Sequence, residues 1–355
     1  MSLRQLSLNN FRNIHPTTLD FHPEFNLITG LNASGKTNLL EALHIVCQGQ
    51  SFKTKKIDQC IHYDHKDFLI FSRFNRYKAG FSRTKNQSVI KIDGKVIKRL
   101  SELASYTPIR VINNESFYLV NGQPGLKRDY IDWCLFHVEH NYQKIKSEYS
   151  HALKQRNTIL RTKKNINQII YWDKYLIEHG MNIYQLRNEY LITIQNILTN
   201  ELSLLTKDLC LSFSYLPGWD VNKTLDSIFK DQQSRDLYLG YTRYGIHRDD
   251  IEILSNGYSA KDNLSRGQQK RVAIALIIAQ IFLLKLSTDK PLVLLVDDIA
   301  SELDNNSLTL VFNLLKTLGI QLFVTNISDL DSTVLDVKEY KMFHVEHGMI
   351  KAIKR

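Results

Sequence analysis

The stretch at Phe25–Val46, FNLITGLNASGKTNLLEALHIV, decides the fold class of this chain. Its apolar start, Phe25–Ile28, predicts a buried strand, and a helix is predicted from about Asn38. Between them lies GLNASGKT at 30–37, which fits the pattern Gly-x4-Gly-Lys-Thr. Strand, glycine-rich loop and helix in this order are typical of a phosphate-binding loop, so we expect an α/β protein that binds a nucleotide.

Each residue type in this loop has a chemical reason. Gly30 and Gly35 permit the tight turn, while backbone N–H groups and the helix N-terminus surround the phosphates. Lys36 neutralises the β and γ phosphate charges, and Thr37 offers a hydroxyl ligand to Mg²⁺. The predicted ATP-binding residues of the loop are Gly30, Leu31, Asn32, Ala33, Ser34, Gly35, Lys36, Thr37 and Asn38. A glycine-rich loop without function is the alternative interpretation.

A pair of acidic residues after a second apolar run indicates the same chemistry. Leu292–Val296 is suited to a strand buried on both faces, and Asp297 and Asp298 follow it. Ligands bind at the carboxyl edge of α/β sheets, so we expect Asp297 to hold Mg²⁺ and Asp298 to activate water as general base. Lys36 and Asp298 are the predicted catalytic residues, unless the two aspartates only cap a helix.

A third stretch, LSRGQQKRVAIALIIAQ at Leu264–Gln280, places small and polar residues before a long apolar helix. A helix N-terminus exposes backbone N–H groups and the positive end of the helix dipole, which favours an anion. Ser265, Gly267 and Gln268 are therefore predicted to contact a phosphate, although nothing local supplies one.

Charge and cysteine content narrow the possible partners and surroundings. The 355 residues carry a formal net charge of +10, which favours a polyanion, nucleic acid first and an acidic membrane surface second. The four cysteines form no Cys-x-x-Cys pair, so neither a disulfide framework nor a zinc site is indicated. No export signal and no apolar run of ~20 residues is found, so a cytoplasmic protein without a membrane partner is expected.

Strand and helix patterns divide the chain. The predicted strands of an antiparallel meander are 68–74, 79–83 and 88–97. Asp93-Gly94 is a hairpin turn signal within the last of them. Helical spacing takes over from about 125 to 205, with an interruption at His179-Gly180. We therefore predict a head formed by residues 1–124 and 206–355, with a helical arm domain inserted at 125–205.

Basic and aromatic side chains bear on DNA binding. Several basic runs on one surface would form a groove for phosphates, without sequence-specific readout. The predicted DNA contacts are Lys53, Lys55, Lys56, Arg156 and Arg161, with a solvated surface as the alternative. The aromatic residues predicted to lie in the core rather than to stack on bases are Trp133, Phe136, Tyr171, Trp172 and Tyr175.

The three motifs occur in the order found in ABC-type ATPases, which this chain resembles. That order is the phosphate-binding loop, the Ser-x-Gly-Gln signature, and the Asp-Asp strand followed by SELD at 301–304. The resemblance implies that the signature caps the γ-phosphate held by the loop of a second subunit. It also adds Asp304 and Thr325 to the predicted nucleotide-binding residues.

Further blocks resemble the RecF family of bacterial recombination mediators. They are LSLNNFRNI at Leu6–Ile14, NGQPGLKRDYIDWCLFHVE at Asn121–Glu139, GIHRDDI at Gly245–Ile251 and the closing FHVEHGMI. One departure lies in the phosphate-binding loop, where Ala33 stands at a position that is usually Gly in this family.

The family resemblance implies an ABC-type P-loop ATPase head with mixed sheets plus an inserted all-helical arm. It further implies a slow, DNA-stimulated ATPase that requires ATP and Mg²⁺ and forms a homodimer on ATP binding. Such a protein would bind gapped DNA or junctions of single-stranded and double-stranded DNA, and would help RecO and RecR load RecA. Two other functions stay open at this point: the ATPase subunit of a transporter, and a DNA scaffold that does not hydrolyse ATP.

Overall fold

The computed structural model of this protein contains both strands and helices and describes residues 2–206, 208–298, 305–326 and 339–353. Residues 2–116 form β1 (Leu3–Asn9), β2 (Thr17–Asp20), β3 (Phe25–Thr29), α1 (Lys36–Gln48), β4 (Asp67–Phe74), β5 (Lys78–Thr84), β6 (Ser88–Ile92), β7 (Lys95–Ile97), α2 (Leu100–Tyr106) and β8 (Ile109–Ile112). Residues 117–287 form α3 (Tyr118–Asn121), α4 (Pro124–Val138), α5 (Tyr142–Thr162), α6 (Ile169–Asn200), α7 (Ser203–Thr206), β9 (Leu211–Leu216), α8 (Leu225–Leu239), β10 (Asp250–Ser255), β11 (Tyr258–Ser259), α9 (Ala260–Asn263) and α10 (Arg266–Ser287). The last elements are β12 (Val293–Val296), α11 (Asn305–Thr317), β13 (Gln321–Asn326), β14 (Lys341–Glu346) and β15 (Met349–Ile353).

The chain divides into two compact units, residues 1–116 with 288–355, and residues 117–287. The second unit contains the helical segment 125–205, and it also contains β9, β10, β11 and α10. Residues 206–287 are thus grouped with the helices, whereas the sequence pattern assigned them to the head. The boundaries of the head and of the inserted arm stay a prediction, since compactness alone does not define an insertion.

A six-stranded, mostly parallel sheet in the first unit positions the phosphate-binding loop. Its strand order is β15-β14-β3-β13-β12-β8, and β3 pairs in parallel with both β13 and β14. Every residue of β3 and of β12 is buried, as expected for apolar strands covered on both faces. Both strands and the helix after the loop are confirmed, and the carboxyl ends of β3, β12 and β13 meet at one edge.

The second sheet of this unit is the antiparallel meander that the sequence predicts. Its strand order is β2-β1-β4-β5-β6-β7. Asp93 and Gly94 have φ of 47° and 82°, so the predicted turn between β6 and β7 has both central residues in the left-handed region. Burial alternates along β4, which places Phe68 and Ile70 in the core and the neighbouring residues in solvent.

The two sheets of the first unit share one core. Apolar side chains from both sheets and from α1 form a single cluster. Gln321 joins the sheets through its buried amide, which accepts from the backbone N–H of Leu3 (2.8 Å) and donates to the carbonyl oxygens of Leu3 and His22 (2.8 Å each). A buried amide with three partners therefore ties β1 of one sheet to β13 of the other.

In the second unit, α5 and α6 pack against each other, and α6 runs unbroken for 32 residues. The predicted interruption at His179-Gly180 is wrong. A Cβ on Gly180 would lie 3.3 Å from Cε2 of Tyr149, so the glycine serves the close approach of α5 rather than a break. Among the described residues, no helix is both long and apolar enough to cross a bilayer.

The aromatic residues at the start of α6 are only partly in the core. The rings of Tyr171 and Tyr175 are 53% and 37% exposed and lie 5.0 Å apart. Trp172 packs edge-to-face against Tyr171 and against His151 of α5. The prediction that all five aromatic residues belong to the core is therefore wrong for Tyr171 and Tyr175. Helical spacing places side chains on one face but does not say whether another element covers it.

A buried ion pair ties α1 to the segment after β1. The carboxylate of Glu41 is inaccessible to solvent and accepts from Nε (2.9 Å) and Nη2 (2.7 Å) of Arg12. Burial acts to raise the pKa of Glu41, but hydrogen bonds from Arg12 and Ser51 outweigh it and hold this pKa below its ordinary value. The pair therefore stabilises the folded state in its ionised form.

We predict that Arg12→Met lowers the free energy of unfolding by about 3 kcal/mol at pH 7, because it leaves a buried carboxylate unpaired. A pKa that is lower in the folded state gives stability above the unfolded value of about 4.3, which is lost as the pH falls through the folded value. In the variant, burial favours the protonated acid instead, so the deficit should shrink below about pH 4. Urea unfolding of the wild type and of Arg12→Met across this pH range measures the difference between their free energies of unfolding.

Lys230→Met serves as the control. Lys230 forms an exposed pair with Asp226 one helical turn away, and its loss should change stability by less than about 0.5 kcal/mol. An Arg12→Met deficit as small as that of the control, or one that grows in acid, would contradict the role of the Arg12–Glu41 pair.

Candidate nucleotide-binding site

The loop between β3 and α1 uses glycine where the backbone requires it. Gly30 and Gly35 have φ of 147° and 121°, conformations that side-chain-bearing residues rarely adopt. A Cβ on Gly30 would also lie 2.2 Å from the carbonyl oxygen of Val345. The loop therefore depends on both glycines, as the motif predicts.

Ala33 is the strained residue of the loop. It is exposed and has a φ of 63°, in the left-handed region where a Cβ is unfavourable. The loop keeps its course although Ala33 stands where a glycine would relieve this strain. The family pattern identifies position 33 as a departure, and the positive φ explains why glycine is favoured there.

Lys36 lies at the start of α1 with its ammonium group inside the loop. Nζ donates to the carbonyl oxygens of Gly30 (2.6 Å) and Leu31 (2.9 Å). Burial lowers the pKa of Lys36, while the carboxylates of Asp298 and Asp297 act to raise it. A partly desolvated ammonium held by neutral carbonyls gains from a phosphate that enters the loop.

Three elements meet at the carboxylate of Asp297. Its Oδ1 accepts from Oγ1 of Thr325 (2.7 Å) and lies 3.1 Å from Oγ1 of Thr37. The backbone N–H of Asp298 donates to Oγ1 of Thr325 (2.9 Å), and Asp298 itself has a φ of 56°. The sequence predicted each of these residues, and the fold brings Thr37, Asp297 and Thr325 together.

A cavity of about 320 Å³ lies in front of these groups. Its lining residues are Asn32, Ala33, Gly35, Lys36, Thr37, Asn38, Lys53, Asp297 and Asp298. An ammonium group suits phosphate oxygens, and an adjacent hydroxyl and carboxylate suit Mg²⁺, which prefers oxygen ligands. The residues present therefore fit a nucleotide phosphate chain with its divalent cation.

Lys53 is one of the predicted DNA contacts, yet it lines this cavity and donates to Oδ1 of Asn38 (3.1 Å). Lys55, Lys56 and Arg161 are exposed, as a DNA contact requires. Arg156 is fully buried and bonded to Asp173, Asp236 and Thr242. The prediction that Arg156 contacts DNA is therefore wrong, because its charge is neutralised inside the second unit.

The closing hairpin supports the loop, a role that the sequence did not reveal. The backbone N–H of Gly348, in the turn between β14 and β15, donates to the carbonyl oxygen of Ser34 (3.0 Å). The N–H of His15 donates to the carbonyl oxygen of Gly348 (3.0 Å), and a Cβ on Gly348 would lie 1.8 Å from the carbonyl oxygen of Asn13. The FHVEHGMI block therefore carries a glycine that the loop needs.

The signature lies at the N-terminus of α10 in the second unit. Ser265 Oγ accepts from the N–H of Gln268 (3.3 Å), and the Gln268 side chain accepts from the N–H of Ser265 (2.9 Å), which is a capping box. Ser265 and Gly267 are exposed, and a Cβ on Gly267 would meet no atom within 4 Å. No neighbour among the described residues explains the glycine. Asp304 and the turn 301–304 lie outside the described residues.

The fold and the loop define an ABC-type P-loop protein, which confirms the predicted α/β class. The RecF/RecN/SMC N-terminal domain model matches residues 2–351. The chain is 36% identical to the DNA replication and repair protein RecF of Shewanella denitrificans, with all of both chains covered. It is 34% identical to RecF of Teredinibacter turnerae, covering 99% of this chain and 96% of that protein. The chain belongs to the RecF family.

Solved structures agree with this assignment. The structure of the recombination mediator protein RecF with ATP in the RecFOR pathway has a TM-score of 0.87 at 29% identity, covering 99% of this chain and 98% of that chain. An Smc head bound to the C-terminal winged-helix domain of ScpA has a TM-score of 0.62 at 16% identity, covering 99% and 97%, which shows the shared fold alone.

We predict that Ala33→Gly raises the free energy of unfolding by about 0.5–1 kcal/mol, because relief of the left-handed strain exceeds the entropy that glycine adds to the unfolded chain. Ala352→Gly is the matched control, since Ala352 is exposed on β15 and has no positive φ. The control should be slightly destabilised. Chemical denaturation of the three proteins without nucleotide measures both changes, and a lower stability of Ala33→Gly would contradict the strain.

Proposed function

We propose that this chain is an ATP-dependent DNA-binding protein of recombinational repair, in which ATP closes a homodimer and hydrolysis reopens it. The observation that carries the proposal is the convergence of Thr37 and Thr325 on the carboxylate of Asp297, beside the loop that holds Lys36. The names of the RecF relatives and of the RecF–ATP structure support the same function.

The cavity residues have distinct roles in holding ATP. Backbone N–H groups of the loop and the ammonium of Lys36 bind phosphate oxygens, while Thr37 and Asp297 supply the oxygens that hold Mg²⁺. Mg²⁺ neutralises phosphate charge during phosphoryl transfer. Thr325 orients the Asp297 carboxylate through its hydroxyl, and Asp304 completes the nucleotide-binding residues of the proposal.

Asp298 is the proposed general base. Its backbone N–H is fixed by Thr325, and its carboxylate faces the same cavity as Lys36 and Thr37. A carboxylate at this position accepts a proton from the attacking water, and its charge also opposes the burial that lowers the pKa of Lys36. Hydrolysis is expected to be slow in the absence of DNA, in keeping with a switch.

The second half of each site is proposed to come from a partner subunit. Ser265 and Gly267 are exposed at the N-terminus of α10, where the capping box already occupies the N–H groups of Ser265 and Gln268, so the Ser265 hydroxyl, the Gln268 side-chain amide and the Gly267 N–H are the proposed donors. When these donors contact the γ-phosphate of the partner's ATP, they stabilise the closed dimer. This stabilisation exists only when ATP is bound. The proposed partners are RecO, RecR and DNA with gaps or strand junctions. The proposed location is the cytoplasm, and residues 125–205 are the proposed arm domain.

We predict that Asp298→Asn slows ATP hydrolysis by about 100-fold or more while ATP binding and the DNA complex persist, because the change removes the base but keeps the size of the side chain. Asp289→Asn makes the same change at an exposed residue before β12 and should leave turnover unaltered. Single-turnover hydrolysis and nucleotide binding are measured on each protein. Undiminished turnover of Asp298→Asn would remove this residue from the mechanism.

A mixing experiment tests the shared site. Lys36→Met should abolish nucleotide binding in its own chain, and Ser265→Arg should obstruct the γ-phosphate of the partner, so each variant alone should lack activity. In an equimolar mixture with random pairing, about a quarter of all sites combine an intact loop with an intact signature, so activity should return to at most that fraction.

The control for the mixing experiment is Ser287→Arg, the same change at the exposed far end of α10, which should keep activity. Formation of mixed dimers is established with two affinity tags before activity is compared. Normal hydrolysis by Ser265→Arg alone, at a rate per chain that is independent of protein concentration, would show that the signature never meets a partner's nucleotide.

A further inference from the structure

The antiparallel sheet of the first unit presents an aromatic residue to solvent from one of its central strands. Phe71 of β4 is 37% exposed, and Leu69, two residues before it on the same face, is 45% exposed. The residues between and around them point into the core. We name the solvent-facing side the outer face, and the argument below uses its residues Leu69, Phe71, Arg73, Lys78, Gly80 and Lys91.

Small residues flank Phe71 in register. Gly80 of β5 and Ser7 of β1 are its direct neighbours on the adjacent strands. Gly80 has no positive φ, and a Cβ there would meet no atom within 4 Å. Neither conformation nor packing requires this glycine. Its effect is that β5 places no side chain beside Phe71 on this face, as where a ligand approaches a strand closely.

Three basic residues lie near Phe71 on the outer face. Arg73 and Lys78 lie directly opposite each other on β4 and β5, and Lys91 lies opposite Gly80 on β6. None of the three forms an ion pair within the described parts of the chain. Like charges in a directly opposed pair destabilise a sheet, and an anion between them relieves the repulsion.

The spacing of these groups suits a nucleotide. Residues two apart on a strand lie about 7 Å apart, and residues two strands apart lie about 10 Å apart. Arg73 and Lys91 are therefore on different sides of Phe71 at about these distances. Asp20 and Asp67 lie away from these groups, on the edge strand β2 and at the first residue of β4, whereas Asp93 lies beside Lys78 and accepts from its backbone N–H (2.8 Å) without forming an ion pair with its ammonium group.

We infer that the outer face binds single-stranded nucleic acid, with one base stacked on Phe71 and the flanking phosphates held by Arg73, Lys78 and Lys91. The inference rests on the proposed DNA-binding function and deepens it by locating a contact for the single strand. A duplex keeps its base faces stacked internally and cannot offer one to Phe71, whereas a single strand can. An acidic protein would satisfy the cations but would not require an aromatic ring.

The test measures binding of the full chain with ATP to fluorescein-labelled oligothymidylate by anisotropy, with a duplex of equal length for comparison. Stacking on one aromatic ring changes affinity by about fivefold to 100-fold, so Phe71→Ala and Phe71→Leu should each weaken single-strand binding by at least about fivefold. Phe71→Tyr should bind like the wild type, because it keeps the ring. Tyr238→Ala, an exposed aromatic residue of the second unit, is the control and should change nothing.

The cations are tested through salt. Lys78→Gln should reduce the slope of log affinity against log salt by about 0.7, the value for one phosphate of a single strand. Oligonucleotides with 5-iodouracil should cross-link on irradiation to the peptide that contains Phe71. Nucleotide binding and thermal unfolding are measured on each variant, and the cross-link is scored on the wild type, so it does not depend on how any variant folds.

The outcomes separate the two proposals. If the wild type binds oligothymidylate and Phe71→Ala binds equally well, the outer face is not the contact and the proposed function stands. If Phe71→Leu binds as tightly as the wild type, stacking is refuted and an apolar contact, as with a protein partner, takes its place. If the wild type binds neither single strands nor duplex, both the inference and the proposed function fail.

Discussion

The first unit depends on the hydrogen bonds at the carboxylate of Asp297, which accepts from hydroxyl groups on two other elements. Thr37 arrives on α1, Thr325 on β13 and Asp297 at the end of β12, so the contact exists only if these elements meet at one edge. A parallel arrangement of β3, β13 and β12 achieves this, because the carboxyl ends of parallel strands point the same way. The hydroxyl of Thr325 also accepts from the backbone N–H of Asp298, so one residue of β13 holds both aspartates at the edge of the cavity that they line.

The loop that faces this carboxylate is held from behind by both ends of the described chain. Asn13 follows β1 and Gly348 precedes β15, and the two meet so closely that only a residue without a Cβ fits at 348. The Gly348 N–H then holds Ser34 inside the loop. Within the loop the N–H of Ser34 donates to the carbonyl oxygen of Leu31 (3.3 Å), and the hairpin adds its support through the carbonyl oxygen of Ser34, which leaves the other N–H groups of the loop unused by this contact.

What the sequence could predict follows from how local each signal is. The phosphate-binding loop, the meander turn at Asp93-Gly94 and the buried strand before Asp297 are encoded within short stretches, and the structure confirms them. The errors concern residues whose state depends on a distant partner. The sequence predicts a helix break at Gly180, but in the structure this glycine lies within the helix against Tyr149. The sequence predicts that Tyr171 lies in the core, but the residue is exposed. The support from Gly348 involves residues more than 300 positions apart, and no local pattern carries such information.

Whether a basic residue is available to an anionic ligand also depends on residues that are distant in the sequence. A net charge of +10 indicates a polyanionic partner but does not say which cations meet it. Arg156 and Arg187 are buried and form ion pairs with aspartates, and these pairs connect elements of the second unit. Arg73, Lys78 and Lys91 carry the same formal charge on an open sheet face without an acidic partner among the described residues. Burial and pairing, rather than number, therefore decide which basic residues contribute to the electrostatic field outside the protein, because a nearby carboxylate offsets much of the potential of a paired cation.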